Sequence, residues 1–202
     1  MLAAWLHSRR RARLRDPRFL PLFDDDDGDT VSLDCETSSL DPRRAELLAI
    51  GAVRIRGNRI LAHEALSLLV RPQQAPSGEN VAIHGLRPRD LACGLSPEQA
   101  LTQLATFIGA RTLVGYYLEF DVAVLNHYLR PLAGVGLPNR QIELSGRYYD
   151  YRIRQYPDSS IDLRLATLQA ELGVPALPRH DALNDALSAA MLYLALRQRG
   201  FG

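Results

Sequence analysis

Five residues between positions 34 and 185 restrict what this chain can fold into. They are Asp34 and Glu36 in an apolar run, Asp121 after Phe120, and His180 with Asp185 in His180-Asp181-Ala182-Leu183-Asn184-Asp185. A carboxylate in a core strand is penalised by burial, and like charges gathered at one place raise the cost further. Divalent cations relieve both effects. Four acids and one histidine are therefore the donor set of a two-metal phosphodiester-cleaving site, provided the fold brings them together.

Each station has a local reading. Strand side chains alternate, so Asp34 and Glu36 project from one side while Cys35 points into the core behind them. Asp121 opens a helix with apolar positions Val122, Leu125 and Leu129, where the helix dipole also favours an acid. His180 and Asp185 are five apart, about 140° on an ideal helix, and so do not share a face. His180 is better placed in the loop entering a helix, with Asp181 as N-cap and Asp185 within the helix. A histidine there has the titration range of a general base.

Composition excludes several classes. Residues number 202, with 47% hydrophobic and a net charge of +1, which describes one globular domain with a decorated end. The two cysteines, Cys35 and Cys93, cannot make a zinc site, and free buried thiols in a reducing cytoplasm are expected. All 24 basic residues are arginine, which reads as base composition before function. No apolar run is long enough to span a bilayer, no signal-peptide pattern is present, and no glycine-rich nucleotide loop occurs.

Residues 1–29 are expected to form a basic arm and an acidic linker, and 30–202 the domain proper. The arm carries six arginines before residue 24. It suits a phosphate backbone or a protein partner, or a surface helix packing Trp5 and Leu6, or a tail. Asp24–Asp29 is expected to be solvated. Strands are expected at Thr30–Cys35, Leu47–Ile55, Ile60–Val70, Thr112–Gly115 and Gln141–Leu144, with residues 71–80 as a loop. Helices are expected at Pro97–Ile108 (capped by Ser96), Glu119–Leu129 (ended by Pro131), 162–172 and 182–198. A three-strand meander followed by alternating helix and strand points to a mixed α/β sheet with helices on both faces. Arg147–Pro157 interleaves arginine and tyrosine, as a nucleic-acid strip or as a helix covering the core would.

Asp34-Cys35-Glu36-Thr37-Ser38-Ser39-Leu40-Asp41-Pro42 resembles D-x-E-T-T-G-L-x-P, the first motif of the DEDD 3′–5′ exonucleases. Phe120-Asp121 resembles the end of the second motif, and His180-x-Ala182-x-x-Asp185-Ala186 the third of the histidine subgroup, H-x-A-x-x-D-A. Ile83-His84-Gly85-Leu86 resembles a substrate-side segment between them. The similarity spans about residues 30–198 and includes the proofreading subunit of bacterial DNA polymerase III. Two departures stand out: Ser39 replaces the usual glycine, and Tyr116-Tyr117 stand before Phe120-Asp121 where the second motif usually begins H-N.

The resemblance implies a ribonuclease H-like, mixed five-stranded sheet flanked by helices. It implies that Asp34, Glu36, Asp121 and Asp185 hold two Mg²⁺ or Mn²⁺ ions, with His180 as general base. Thr37, Ser39, Leu40, His84 and Phe120 are then the candidates for holding the terminal nucleotide. The implied partners are single-stranded 3′ ends, with a DNA polymerase or other protein partner open, and monomer or homodimer open. DNA replication or repair in the cytoplasm is the expected setting. An RNA exonuclease, or a binding module without turnover, are the competing readings.

Overall fold

The computed structural model describes residues 2–74, 81, 82 and 84–201. The expected loop at 71–80 and the Ile83 segment therefore lie partly outside the described residues. Helix α1 (Leu2–Ala12) and a 3₁₀ segment (Pro17–Phe23) precede strand β1 (Thr30–Thr37). Strands β2 (Leu47–Arg56), β3 (Arg59–Ile60) and β4 (Leu66–Leu69) follow. Next come a helical turn, α2 (Pro88–Leu91), then α3 (Pro97–Ile108), β5 (Thr112–Gly115) and α4 (Leu118–Ala133). The chain ends with β6 (Gln141–Glu143), α5 (Leu144–Gln155), α6 (Leu165–Leu172) and α7 (Ala182–Gln198).

The sheet is mixed and five strands wide. β2 runs antiparallel to β1, and β5 and β6 continue from β1 in parallel. Both β3 and β4 pair with the outer edge of β2. The third strand, expected as one piece over Ile60–Val70, is broken by a 3₁₀ turn at Ala62–Glu64. Its two fragments meet different parts of the long strand β2.

Alternation along the strands builds two cores. Val31, Leu33 and Cys35 of β1 and Leu113 of β5 face α3 and α4. Val114 of β5, with Val53 and Ile55 of β2, faces the layer of α5, α6 and α7. In α5, Tyr148 is buried in this second core, so the arginine–tyrosine segment covers the core as a surface helix. Among the described residues no helix is long and apolar enough to cross a membrane.

Several boundaries moved for identifiable reasons. α4 runs through Pro131, because a proline there costs only one hydrogen bond near the helix end. Gly134 closes it in the left-handed conformation, donating its N–H to the Arg130 carbonyl. α6 starts at Leu165 rather than 162, where Asp162 instead receives the Arg164 guanidinium and the Thr167 hydroxyl. Leu144 opens α5 instead of ending β6.

The segment before Thr30 is tied down. Phe19, Leu22 and Phe23 are buried in the first core. Asp27 pairs with Arg111 at 2.5 Å and the buried Asp29 with Arg56 at 3.0 Å, so the acidic run is not simply solvated. Cys35 is buried as expected, but Cys93 is exposed; both are free.

One glycine positions α7. Gly51 of β2 lies opposite Asp34 of β1. A Cβ at Gly51 would fall 2.1 Å from the carbonyl of Ala182, so the first turn of α7 rests directly on the sheet. Deeper along β1, the Ser32 hydroxyl donates to the Ala186 carbonyl at 2.7 Å. Gly51→Ala is expected to lift this end of α7, at a cost on the scale of severe overpacking, about 1–3 kcal/mol or more. A thermal melt checks the stability. A divalent-metal titration checks the site, because Asp185 and His180 would move with the helix.

Candidate active site

The site sits where β1 outruns its parallel neighbour. β5 pairs with β1 only as far as Ser32. Beyond that point the Cys35 amide lacks a strand partner on this side, and it donates to Asp121 Oδ1 at 3.0 Å. That bond holds Asp121, in the first turn of α4 and 4% exposed, between the two acids of β1. The third station arrives from the other layer. The Asp181 carboxylate caps α7 by accepting the Asn184 N–H at 2.9 Å. Asp185 Oδ2 accepts the His180 N–H at 3.0 Å, which draws the loop back over the helix start. His180 itself has φ 62°, a left-handed conformation uncommon outside glycine, and is exposed.

All ten candidate residues line one cavity of about 260 Å³: Asp34, Glu36, Thr37, Ser39, Leu40, His84, Phe120, Asp121, His180 and Asp185. Among the described residues, Glu36, His180 and Asp185 form the compact ligand set, each offering one atom within 4.8 Å of the others. Asp34 and Asp121 share the cavity without joining that set. His180 thus lies among potential ligands and is not set apart from them.

Electrostatics marks the site as built for positive charge. Burial, then the charges of Asp121, Asp185 and Glu36, hold Asp34 well above the usual carboxylate range. Burial, with Asp185 and Asp181 adding, pushes Glu36 up to about 7. Asp121 is raised to about 8 by burial, against the pull of the Cys35 hydrogen bond. Asp185 is raised by burial too, with the His180 N–H opposing. A set of hard carboxylate oxygens and one imidazole fits Mg²⁺ or Mn²⁺.

The rim uses its side chains for shape. Thr37 Oγ donates to the Ser39 carbonyl at 3.0 Å, and Ser39 Oγ accepts the Asp41 N–H at 3.1 Å, so both hydroxyls fold the turn after β1. Leu40 is 91% exposed at the mouth. His84 is buried, and its Nδ1 accepts the Leu86 N–H at 3.1 Å. That bond leaves the proton of a neutral ring on Nε2, which has no protein partner among the described residues. Burial and the nearby His180 hold His84 below its ordinary pKa, hence neutral at pH 7.

Glu143 and Arg179 were not singled out from sequence, and Tyr116 and Tyr117 were noted there only as a departure from the second motif. Tyr116 and Tyr117 also line the cavity. Tyr117 occupies the left-handed region at the start of α4 (φ 56°), and its N–H donates to Glu143 Oε1 at 2.5 Å. Its ring meets Tyr116 edge-on with centroids 4.6 Å apart, and the Tyr116 hydroxyl donates to the Leu163 carbonyl at 2.7 Å. The strand-to-helix turn departs from the H-N pattern and is held by this tyrosine pair and Glu143. The tyrosines' place in the second motif, where H-N is usual, was the available signal. Nothing local marked Glu143, or Arg179, whose charge favours ionised Asp34 and Asp185.

The fold and the convergence of acids on one strand end define a nuclease of the ribonuclease H-like class. The family profile described as exonuclease (RNase T) matches residues 31–193. The chain belongs to this family, within its DnaQ-like group of 3′–5′ exonucleases bearing the histidine motif. Among relatives, DNA polymerase III PolC-type of Thermotoga maritima is 28% identical over 169 residues, covering 83% of this chain and 12% of that protein. RNA exonuclease 4 of Kluyveromyces lactis is 24% identical, covering 82% and 53%. The chain thus spans only a fraction of these relatives' length. E. coli exonuclease I in complex with a dA16 oligonucleotide has the same fold, with TM-score 0.72 at 18% identity, covering 85% of this chain and 41% of that one.

Carboxylates whose folded pKa is raised are neutral in both states below about pH 4, so they cost nothing there. As pH climbs from about 4 toward the folded values, the unfolded chain ionises and the folded one does not. The metal-free protein is therefore expected to lose stability between about pH 4 and 8, with Glu36 at about 7 and Asp121 at about 8 setting the upper end. Melting curves in EDTA across this range check the slope, and Mn²⁺ or Mg²⁺ is expected to flatten it. A metal-free melting temperature that rises toward pH 8 would contradict the electrostatic account.

Proposed function

We propose that the chain is a divalent-metal-dependent 3′–5′ exonuclease that removes nucleoside 5′-monophosphates from single-stranded DNA ends. The observation that carries this reading is the meeting of four carboxylates and His180 in one cavity, from three separate elements. Asp34, Glu36, Asp121 and Asp185 are the residues that would hold two Mg²⁺ or Mn²⁺ ions. Bound there, such ions offset the carboxylate charges and stabilise negative charge on the attacking and leaving oxygens of the phosphodiester.

The chain's own groups supply orientation and proton transfer. His180 is exposed on a loop tied to Asp185, so its imidazole can take a proton from the attacking water and release it to solvent. Phe120 and Leu40 offer apolar surface to the terminal base. Nε2–H of His84 is a buried donor awaiting an acceptor, and an oxygen of the terminal nucleotide fits it. Because His84 is neutral, it contributes a hydrogen bond and no charge.

An RNA 3′ end is the second reading, favoured by the similarity to RNA exonuclease 4. The similarity to a PolC-type polymerase makes a polymerase partner part of the proposal. Side-by-side digestion of 5′-labelled DNA and RNA of identical sequence separates the substrates. Stepwise shortening from the 3′ end is expected, faster for DNA, and abolished by EDTA or by Asp185→Ala. Intact strands with metal and nucleotide still bound would instead describe a non-catalytic module. His180→Ala is expected to lower kcat by about 10²–10⁴. His84→Ala is expected to raise KM roughly tenfold with kcat little changed, as loss of one hydrogen bond to a charged oxygen would. Steady-state kinetics on a short oligonucleotide measures both.

A further inference from the structure

A second cavity, of about 460 Å³, opens at the other end of α4. Arg10 and Arg13 of the N-terminal arm and Arg130 of α4 line it, with Asn126, Asn139 and Gln141. No carboxylate lines it, and none of the three arginines has an ion-pair partner among the described residues. The arm is anchored at this place. The Arg15 N–H donates to the Ala133 carbonyl at 2.9 Å. Gly134 is packed so closely that a Cβ would lie 2.9 Å from the Arg13 carbonyl oxygen. Two of the three guanidinia therefore come from residues before the family match begins at 31, and a fitted contact holds them against the domain.

We propose that this cavity binds the phosphate backbone of the nucleic-acid strand upstream of the 3′ end being cleaved. Like charges converging without a counter-ion call for an anion, and the planar fork of arginine suits phosphate oxygens. The negative end of the α4 dipole offsets only part of the charge. Continuity favours nucleic acid over an acidic protein. A third groove shares Asn126, Arg130 and Gln141 with the arginine cavity and runs along α4 to Glu119, Pro42 and Arg43. These residues adjoin Phe120 and the turn after β1, at the edge of the catalytic cleft. From Phe120 to Arg130 the helix rises about 15 Å, roughly four to five nucleotides at the spacing of a stacked strand. The inference rests on the exonuclease reading for its direction, since the cleft must hold the 3′ end.

The test compares the wild type with Arg10→Gln/Arg13→Gln/Arg130→Gln, and with Arg10→Gln/Arg13→Gln, which leaves α4 untouched. All three side chains are exposed, so folding is spared. Fluorescence anisotropy in Ca²⁺ measures binding of a trinucleotide and of an oligonucleotide of roughly twenty nucleotides, only the longer reaching beyond the 15 Å span. With three phosphate contacts, the wild type is expected to lose roughly fifteen- to twentyfold more affinity for the long strand between 50 and 200 mM salt than the triple variant. The double variant should fall between them, and trinucleotide binding should be equal in all three proteins. Hydrolysis of the p-nitrophenyl ester of thymidine 5′-monophosphate in Mn²⁺ reports the catalytic site alone and should be unchanged. If long-strand binding and its salt slope do not depend on the arginines, the proposal is overturned, and an acidic protein becomes the occupant to seek. If the ester is not cleaved by any of the proteins while the length and arginine dependence persists, the exonuclease reading fails and the backbone site stands.

Discussion

Four carboxylates must share one strand end, and the rest of the structure arranges itself around that repulsion. The opposite-charge help inside the cavity is slight: Arg179 acts from its edge. The acids are held together by backbone geometry. Asp121 is fixed by the Cys35 amide, an N–H left over where the parallel pairing of β1 and β5 ends. Asp185 is fixed by α7, whose first turn lies on Gly51 with no room for a side chain between. The Gly51 contact is purely steric, whereas the Cys35 amide bond favours the ionised form of Asp121.

This arrangement explains why the sheet is built as it is. The two acids of β1 need a strand that continues past its neighbour, so that a helix start can approach from the side. They also need a partner strand that is bare at one position, so that a second helix can approach from above. β2 supplies the bare position with Gly51 while remaining buried from Leu47 to Val53. The helices feeding the site come from opposite faces of the sheet, and each is secured by its own apolar core. Displacing either helix would therefore require breaking a hydrophobic layer.

The tyrosine pair shows how a local departure can be absorbed. Tyr117 adopts a backbone conformation that favours glycine or asparagine, and such strain persists only where surroundings over-determine it. Here the Glu143 carboxylate, the Tyr116 ring and the Leu163 carbonyl do so together. Two of these supports, Glu143 and Leu163, lie on segments distant in sequence from the turn, and Tyr116 is its neighbour. The turn that leads into Phe120-Asp121 is therefore held by contacts from three separate segments.

Much of this protein was legible in its residues. Alternation put Asp34 and Glu36 on one face and Cys35 on the other, caps at Ser96 and Asp181 placed two helix starts, and Gly173 ended a third helix. These are short-range effects, decided by side chains and backbone within a few positions; the Gly173 stop follows Leu172, where the helix was expected to end. The candidate site residues likewise account for all of the catalytic cavity's lining except Cys35, Tyr116 and Tyr117. The tertiary structure alone decided the split of the third strand, the ion pairs that bind the acidic run, and the burial of Phe19, Leu22 and Phe23. It alone also decided the meeting of Arg10 and Arg13 with Arg130. Those outcomes depend on contacts between residues dozens of positions apart. No local pattern encodes such contacts, because their energy exists only once the layers have packed.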